Sequence, residues 1–298
     1  MIIIQLRLNY NVPILRVFTQ HRITRIDLDE YEKLDIYIEK GLVGKYMYLP
    51  NKLEKILAGM HFEADKEGMS KAKVIKCFDM DKSYYLKIEK VNDEVIREYE
   101  MYQWLYGKLS VPKVIYRVIE DDISYMLIEN AKGQMLEDEA YRKTPDRLVH
   151  LAAIGIKKLQ SVDITECNFN SRIEEKLEKA KYRIEHNLIG RVDRNKYTEG
   201  LETSRYVFNY LVKNKPVEQL VFTHGDYCFN NYFTDGKDIT SFIDMGRAGV
   251  GDLYQDIALC VRELMDFDSR YTDMLFEELE IKPDYAKIKY YILLDELF

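Results

Sequence analysis

The stretch from Thr223 to Tyr254 reads THGDYCFNNYFTDGKDITSFIDMGRAGVGDLY. Three of its polar residues, Asp226, Asn231 and Asp244, are spaced five and then thirteen residues apart. Carboxylate and amide side chains supply oxygen ligands for hard cations, and a carboxylate can also accept a proton. The stretch therefore carries the chemical groups of a catalytic or metal-binding loop.

A β-hairpin is predicted between Asn231 and Asp244. Tyr232–Thr234 and Ile239–Ile243 are short apolar runs, and the Asp235-Gly236 pair between them is typical of a tight turn. The hairpin brings Asp244 back toward the loop that carries Asp226.

This arrangement suits phosphoryl transfer. That reaction needs a carboxylate at the acceptor hydroxyl and oxygen ligands for Mg²⁺, because catalysis depends mainly on positioning and charge neutralisation. We therefore expect Asp226 to orient or deprotonate the acceptor, and Asn231 and Asp244 to bind the metal. His-Gly-Asp alone is usually a turn and Asp-Met-Gly alone usually a strand end, so the interpretation depends on their combination.

Composition limits the class of protein. The 298 residues, 47% of them apolar, allow one large or two small domains around a substantial core. A formal net charge of −7 and a pI near 5.5 argue against a nucleic-acid partner. From Val217 to Phe298 there are 7 Lys and Arg against 17 Asp and Glu. This acidic part favours a cationic substrate, whereas the slight positive excess before it suits nucleotide phosphates.

The cysteines and the apolar runs indicate a cytoplasmic location. The four cysteines lie far apart without a CxxC pair, which predicts neither a zinc site nor a disulfide framework. No run approaches the roughly 18 apolar residues of a membrane span. The first residues also lack a clean signal-peptide core, so no membrane association is expected.

Three regions are predicted along the chain. Residues 1–46 contain no chemical motif; they are either a small added element or residues upstream of a natural start at Met47. Residues 47–130 are expected to form a nucleotide-binding lobe of five strands and one helix, and residues 131–298 a larger, mainly helical lobe.

The first lobe contains a lysine and a glutamate in the arrangement that kinases use. Ser83–Ile88 alternates like a strand and places Tyr85 and Lys87 on one face. Asn92 can cap the following helix, which carries Glu98. Its apolar stripe is predicted to contain Val95, Tyr99, Tyr102, Leu105 and Tyr106. A kinase needs a lysine that reaches the α- and β-phosphates and a helix glutamate that holds it, which Lys87 and Glu98 fit.

Other nucleotide contacts are predicted from neighbouring segments. Gly68, Ser70 and Ala72 lie in a predicted turn, whose backbone N–H groups can cover phosphates, although an ordinary hairpin turn would look the same. The segment from Ile128 to Ala131 is expected to link the lobes and to bond the adenine edge, with Tyr85 stacked on the adenine face.

The second lobe is predicted to be helical around the Asp226 loop. Thr144, Pro145 and Asp146 are typical of a helix start, and Glu174–Asn187 and Lys196–Lys213 are two further predicted helices. Asp252 can cap the helix after the loop. Asp256 stands among apolar residues of that helix, and we expect it to hold the backbone of the Asp226 loop.

Several motifs together resemble the aminoglycoside phosphotransferases that act on the 3′-hydroxyl. They are EGMSKAKV, YYLK, WLYGKLSVPKV, VFTHGD with Asn231, FIDMGRAG, YQDIALCVREL and IKPDYAKIKYYILLDELF. The resemblance extends from about Met47 to Phe298. It implies an α+β, bilobal, protein-kinase-like fold, with a small β-rich N-terminal lobe and a larger, mainly α-helical C-terminal lobe. It also implies Mg²⁺-dependent transfer of the γ-phosphoryl of ATP or GTP to a drug hydroxyl, which confers antibiotic resistance.

By this resemblance each site residue has a role. Asp226 is the catalytic aspartate, Asn231 and Asp244 bind Mg²⁺, Lys87 and Glu98 clamp the phosphates, Tyr85 stacks on adenine and Ser70 contacts phosphate. The implied drug-binding residues are Arg247, Asp266, Asp295, Glu296 and Phe298, the last with its terminal carboxylate. Between Asn187 and Glu202 the family usually carries an acidic loop, whereas this chain reads NLIGRVDRNKYTEGLE.

Two other functions remain open at this point. One is a kinase of another small hydroxylated molecule, such as a macrolide, an amino sugar or choline. The other is a non-catalytic nucleotide-binding relative, against which the presence of all the core residues argues.

Overall fold

The computed structural model describes residues 49–64, 72–190, 192 and 196–298. The predicted extension over residues 1–46, the predicted phosphate contact Ser70, and Arg191 and Arg194 of the stretch between Asn187 and Glu202 lie outside the described residues. The described chain divides into two compact units. One contains the residues up to Lys90 together with Tyr116–Leu127, and the other contains Val91–Ile115 together with Ile128–Phe298.

The first unit is built on a five-stranded sheet. Its elements are helix α1 (Asn51–Ile56) and strands β1 (His61–Ala64), β2 (Lys73–Phe78), β3 (Ser83–Lys90), β4 (Val114–Glu120) and β5 (Ile123–Glu129). The strand order is β1-β2-β3-β5-β4, with β2 antiparallel to β1 and β3. Asp121 and Asp122 both have positive φ in the turn between β4 and β5, as a tight hairpin turn requires. The five predicted strands are confirmed.

The alternation predicted for β3 is also confirmed. Leu86 and Ile88 are buried on one face, whereas Tyr85 and Lys87 point to the other and are half-buried. Strand β5 continues through Glu129, so the first two residues of the predicted linker belong to the strand. Ile128 is buried in the strand, and Ala131 follows its end.

Helix α2 (Asp93–Leu105) begins as predicted, because the Asn92 side chain accepts a hydrogen bond from the N–H of Val95 at 3.0 Å. Its buried residues are Val95, Glu98, Met101, Tyr102 and Leu105. The prediction that Tyr106 joins the apolar stripe was wrong. Tyr106 is the C-cap residue with ψ of 120°, so it leaves the helical path and is 67% exposed.

The second unit combines helices with two small sheets. After β6 (Gln134–Met135), its helices are α3 (Glu139–Arg142), α4 (Pro145–Gln160), α5 (Ile173–Glu185), α6 (Ser204–Lys213), α7 (Tyr254–Glu263), α8 (Arg270–Leu279) and α9 (Tyr285–Asp295). Its other strands are β7 (Leu220–Thr223), β8 (Tyr232–Thr234), β9 (Ile239–Phe242) and β10 (Gly249–Asp252). Strand β7 pairs with β10, and β8 lies between β6 and β9.

Two predicted helix starts differ from the structure. The helix predicted from Lys196 begins only at Ser204, because Gly200 has a φ of +77° and Thr203 caps the helix by accepting from the N–H of Tyr206. Thr144 precedes α4, but its hydroxyl donates to the carbonyl of Ala140 at 2.9 Å instead of accepting from the helix. The start of α4 therefore depends on Pro145 and on the backbone.

The predicted cap at Asp252 is replaced by a related contact. Leu253 is the N-cap residue of α7, yet the Asp252 carboxylate accepts from the N–H of Tyr254 at 2.9 Å and from Lys287 Nζ at 2.7 Å. Asp252 therefore joins the start of α7 to α9, and these two helices pack against each other. In the described part of the chain, no helix has the length and apolar character of a membrane span.

Candidate active site

The turn that carries Asp226 follows β7 and has room only for glycine at position 225. Gly225 has a φ of +83°, and a Cβ atom there would lie 2.4 Å from the carbonyl oxygen of Arg247. The backbone of the turn therefore lies directly on the backbone at Arg247. This close approach fixes the position of Asp226 relative to the segment that carries Arg247.

Asp256 holds this turn, as the sequence predicted. Its two carboxylate oxygens accept from the N–H groups of His224 at 2.7 Å and Gly225 at 2.9 Å. Burial raises the pKa of Asp256, although His224 and the two backbone N–H groups favour its charged form. The buried carboxylate satisfies two backbone donors that would otherwise have no partner in the interior.

His224 connects the turn to the hairpin. Its Nδ1 accepts from the N–H of Asp226 at 3.3 Å, so the proton lies on Nε2, which donates to the carbonyl of Ile243 at 2.8 Å. The ring is fully buried. A side chain that bridges two loops in this way fixes the distance between Asp226 and the residue after Ile243, which is Asp244.

The hairpin places Asn231 and Asp244 at its open end. Strands β8 and β9 pair with Tyr232 opposite Phe242, and the N–H of Ile243 donates to the carbonyl of Asn231 at 3.0 Å. Asn231 Nδ2 also donates to the carbonyl of Asp226 at 3.0 Å. The predicted hairpin is confirmed, and it brings the backbone of Asn231 next to the segment with Asp244.

Asp244 has an unusual backbone conformation. Its φ of 56° and ψ of 50° lie in the left-handed region, which few residues other than glycine adopt. Its N–H donates to the hydroxyl of Tyr102 on α2 at 3.2 Å. Strain of this kind often marks a functional position. An amide oxygen from Asn231 and a carboxylate from Asp244 are ligand types that Mg²⁺ prefers.

Helix α2 packs on the segment that follows Asp244. A Cβ atom at Gly246 would lie 2.8 Å from Glu94 Cγ and 3.5 Å from Glu98 Cβ. Arg97 Nη2 donates to the carbonyl oxygens of Ala248 at 2.7 Å and Asn170 at 2.6 Å. The structure therefore brings Glu98, which is 4% exposed, next to the segment with Asp244.

Arg247 lies between the predicted catalytic and substrate-binding carboxylates. Its guanidinium group is 3.9 Å from Asp226 Oδ1 and 3.7 Å from Asp295 Oδ1, and its Nε donates to Glu94 at 3.0 Å. Burial disfavours the charge of Arg247, but Glu94, Asp226 and Asp295 outweigh burial and raise its pKa. Arg262 on α7 also forms a short ion pair with Asp295. Asp226, Arg247 and Asp295 thus form one charge network.

The remaining predicted drug-binding residues have different surroundings. The Phe298 ring lies 5.8 Å from the Arg247 guanidinium, so it belongs to the same cluster. Glu296 is the C-cap residue of α9. Asp266 is instead 3.8 Å from Arg142, and its side chain is 82% exposed. The structure therefore joins Arg247, Asp295 and Phe298 through direct contacts and places Asp266 in a separate pair.

Two cationic residues of this cluster were not predicted. Lys176 and Arg183 lie on α5, and Lys176 Nζ and the Arg183 guanidinium are 5.8 Å and 5.6 Å from the Phe298 ring. They are seven residues apart, which places both on one helix face. The only signal for this pair in the sequence is the spacing of seven residues between them. In a helix rich in charged residues, two cations at this spacing usually lie on a solvated face.

Cys228 lies in the same loop, where its surroundings disfavour the reactive thiolate. Burial raises the pKa of its thiol, and the nearby Asp226 and Glu263 add to the effect. The thiol is therefore neutral near pH 7, and a thiolate is the reactive form. A packing role for Cys228 agrees with these surroundings.

Lys87 and Tyr85 lie in the first unit. Lys87 is opposite Val74 and Tyr85 opposite Lys76 in the pairing of β3 with β2. Hydrogen bonds to the two neighbouring strands hold the backbone of a lysine on a regular strand. Only its side chain can therefore move to reach a ligand. Their predicted contacts with a nucleotide remain predictions.

Comparison with known proteins identifies the family to which the chain belongs. A sequence profile of the phosphotransferase enzyme family matches residues 78–291. The chain is 36% identical to an aminoglycoside 3′-phosphotransferase of Enterococcus faecalis over 262 residues, which cover 85% of this chain and 99% of the relative. It is 35% identical to the enzyme of that name from Staphylococcus aureus, with the same coverage. The chain therefore belongs to the aminoglycoside 3′-phosphotransferase family of phosphotransferases.

Solved structures confirm the fold. The crystal structure of an aminoglycoside-3′-phosphotransferase of type VIII superposes with a TM-score of 0.73 at 22% identity, covering 88% of this chain and 99% of that one. An aminoglycoside phosphotransferase from Streptomyces rimosus, in complex with ADP and streptomycin, superposes with a TM-score of 0.66 at 18% identity, covering 92% and 99%. The predicted α+β, kinase-like fold, with a small β-rich first lobe and a larger helical second lobe, is confirmed.

Proposed function

We propose that the chain transfers the γ-phosphoryl group of ATP or GTP to the 3′-hydroxyl of an aminoglycoside and thereby inactivates the antibiotic in the cytoplasm. The observation that carries the proposal is the position of Asp226. It lies on a turn held by Asp256, and Arg247 joins it to Asp295. Relatives that share more than a third of their residues with this chain bear the name of this activity.

In this proposal Asp226 acts on the acceptor. The hydroxyl oxygen of the drug attacks the γ-phosphorus, the bond from that phosphorus to the bridging oxygen breaks, and the hydroxyl proton passes to the Asp226 carboxylate. The products are a phosphorylated drug and a nucleoside diphosphate. Because the transition state is loose, Asp226 contributes mainly by orienting the hydroxyl.

Asn231 and Asp244 would hold Mg²⁺. When it is bound, Mg²⁺ neutralises charge on the β- and γ-phosphates. The donor set fits this ion, since Mg²⁺ in nucleotide sites takes one or two protein oxygens and fills its other positions with phosphate oxygens and water. The Asn231 side chain is oriented by its hydrogen bond to the carbonyl of Asp226, so the ligand and the catalytic loop are positioned together.

The first lobe would bind the nucleotide. Lys87 would contact the α- and β-phosphates and pair with Glu98, and Ser70 would also contact the phosphates. Tyr85 would stack on the adenine, while backbone groups of Ile128 and Ala131 would bond its edge. These roles require residues 47–130 to act as the nucleotide-binding lobe and residues 131–298 as the catalytic lobe.

The acidic residues near Arg247 would bind the amino groups of the drug. Single exposed ion pairs contribute only about 0–1 kcal/mol each, so useful affinity needs several partly screened carboxylates. Asp295 meets this condition, because its side chain is 15% exposed. Glu296 and Phe298 would extend the same surface, and Asp266, which lies beside Arg142, would add a further carboxylate for the drug.

The decisive experiment is turnover by the purified protein with Mg²⁺ and ATP or GTP. Kanamycin and neomycin are the test acceptors, and choline, an amino sugar and a macrolide represent the alternative kinase function. The position of the phosphate in the product is located by ³¹P and ¹H NMR. Phosphorylation at the 3′-hydroxyl supports the proposal, whereas turnover of choline alone would replace it.

Variants connect the activity to the site. Asp226→Asn should lower kcat by at least about a hundredfold, since a positioned base contributes about 10²–10⁴-fold, while drug binding persists. Asp273→Asn, which changes an exposed carboxylate on α8, is the matched control and should turn over like the wild type. Near wild-type turnover by Asp226→Asn would refute the catalytic assignment.

A further inference from the structure

Arg183 contacts the last two residues of the sequence. Its Nε donates to the carbonyl oxygen of Leu297 at 2.9 Å, and its Nη2 donates to a main-chain oxygen of Phe298 at 2.5 Å. Its guanidinium group also lies 5.6 Å from the centre of the Phe298 ring. One side chain therefore binds two successive main-chain oxygens and the adjacent ring.

This contact continues into the active-site network. The Arg247 guanidinium lies 5.8 Å from the centre of the same Phe298 ring, and Arg247 is 3.9 Å from Asp226 Oδ1. Arg183 is therefore connected to Asp226 through two intermediate side chains. Its influence on the site would pass through Phe298 and Arg247.

The position of Arg183 is electrostatically unfavourable without these partners. Burial lowers the pKa of Arg183, and the neighbouring Arg247 adds to the effect, while Glu94 opposes it. A half-buried guanidinium near another cation is stable only when acceptors satisfy its N–H groups. The main-chain oxygens of Leu297 and Phe298 serve as these acceptors, together with the carbonyl of Leu188 at 3.4 Å.

We propose that Arg183 is a positioning residue of the acceptor site, which fixes Leu297 and Phe298 against Arg247 and so sets the affinity for the cationic substrate. This inference rests on the proposed function, because it takes the surface around Phe298 as the drug-binding surface. Without Arg183, the segment after α9 would lose its side-chain anchor, and substrate binding would have to order it again.

The first test compares Arg183→Met and Arg183→Lys with the wild type. For Arg183→Met we expect the drug KM to rise at least about tenfold, because the charged hydrogen bonds to the main-chain oxygens of Leu297 and Phe298 are both lost, with kcat within about twofold. Arg183→Lys should restore part of the affinity, because an ammonium group can bind one of the two oxygens. Lys181→Met changes an exposed lysine on the same helix and should leave both constants unchanged. An unchanged KM in Arg183→Met would overturn the proposal.

A double-mutant cycle separates positioning from general stability. In a chain that lacks Phe298, Arg183→Met should have little further effect on the drug KM, since the residue that Arg183 positions is already absent. If Arg183 only stabilised the fold, the effects of Arg183→Met and of the loss of Phe298 on the drug KM would multiply. Multiplicative effects would therefore overturn the proposal even if each single change raised KM.

A third measurement does not depend on activity. With 4-fluorophenylalanine at position 298, the ¹⁹F signal of the wild type should be shifted, because the ring lies among cations, and broad, because Arg183 restricts its motion. In Arg183→Met it should move toward the position of free 4-fluorophenylalanine and narrow. An identical signal in both proteins would overturn the proposal. If no aminoglycoside is phosphorylated by the wild type, the proposed function fails, whereas the fluorine signal still tests the contact of Arg183 with Phe298.

Discussion

The N–H of Gly225 donates to Asp256 Oδ1 at 2.9 Å, across a separation of 31 residues in the sequence. The second oxygen of the same carboxylate accepts from the N–H of His224 at 2.7 Å. A buried residue on α7 thus determines the geometry of the turn that carries Asp226. Asp256 touches no reacting group, so it is a positioning residue.

Asp256→Asn should therefore reduce both stability and turnover. The amide has one oxygen for two N–H donors, and its own NH₂ group would face the second donor. A hydrogen bond to a charged group contributes about 1.5–3 kcal/mol, so we expect the free energy of unfolding to fall by about 2–4 kcal/mol in urea titrations. In the folded variant, kcat should fall more than the drug KM rises. Wild-type kcat in the folded protein would contradict the positioning role.

Gly225→Ala tests the close approach of the turn to Arg247. The new Cβ atom would lie 2.4 Å from a backbone oxygen, so the turn must move, and Asp226 with it. Gly107→Ala is a matched control, because Gly107 has a φ of +79° but a methyl group added there would meet no atom within 4 Å. The free energy of unfolding of the control should fall by only about 1 kcal/mol, because alanine adopts the left-handed conformation less readily than glycine does.

Thermal unfolding and kcat separate these two effects. We expect Gly225→Ala to lose activity by at least an order of magnitude and to unfold at a lower temperature than Gly107→Ala. Equal effects of the two substitutions would mean that only the backbone conformation matters, and the contact with Arg247 would then not constrain the turn.

Local features of the fold could be predicted from the sequence. The Asp235-Gly236 turn between two apolar runs determines the hairpin, because the turn residues and the strand residues are adjacent in the chain. Asp256 could also be predicted as a buried group in need of partners, since it stands among apolar residues of one helix face. These inferences need only neighbouring residues.

Features that depend on distant residues could not be predicted in this way. The start of α6 at Ser204 depends on the positive φ of Gly200, and a glycine alone does not reveal its conformation. Arg183 and Lys176 resemble solvated residues of a charged helix, and only the position of Phe298 next to α5 brings them into contact with the cluster around Arg247. The resemblance named Asp266 and Asp295 together as drug-binding residues; Asp266 lies 3.8 Å from Arg142, and its contact with the drug remains a prediction.

Removal of Leu297 and Phe298 should weaken drug binding without abolishing chemistry. Leu297 is fully buried, and Phe298 contacts three cations, so their loss exposes Arg247 to water and loosens the acceptor surface. We expect the drug KM to rise at least tenfold while the KM for ATP stays within about twofold. Isothermal titration with the drug checks the binding step directly. An unchanged drug affinity would count against a role of this segment in the acceptor site.

Lys176 should make the stability depend on pH. Burial lowers its pKa to about 8, while Asp295 opposes the shift. The unfolded chain binds the proton of this lysine more tightly than the folded chain does, so protonation lowers the free energy of unfolding. This loss of stability is complete below pH 8. It disappears as the pH rises through the unfolded pKa of about 10.4. Lys176→Met should therefore stabilise the protein by about 1–3 kcal/mol at pH 7 and by much less at pH 10, in urea unfolding. Lys181→Met is the control on the same helix, with an expected effect within about 0.5 kcal/mol. If Lys176→Met raised the free energy of unfolding equally at pH 7 and pH 10, the charge of Lys176 would not destabilise the fold.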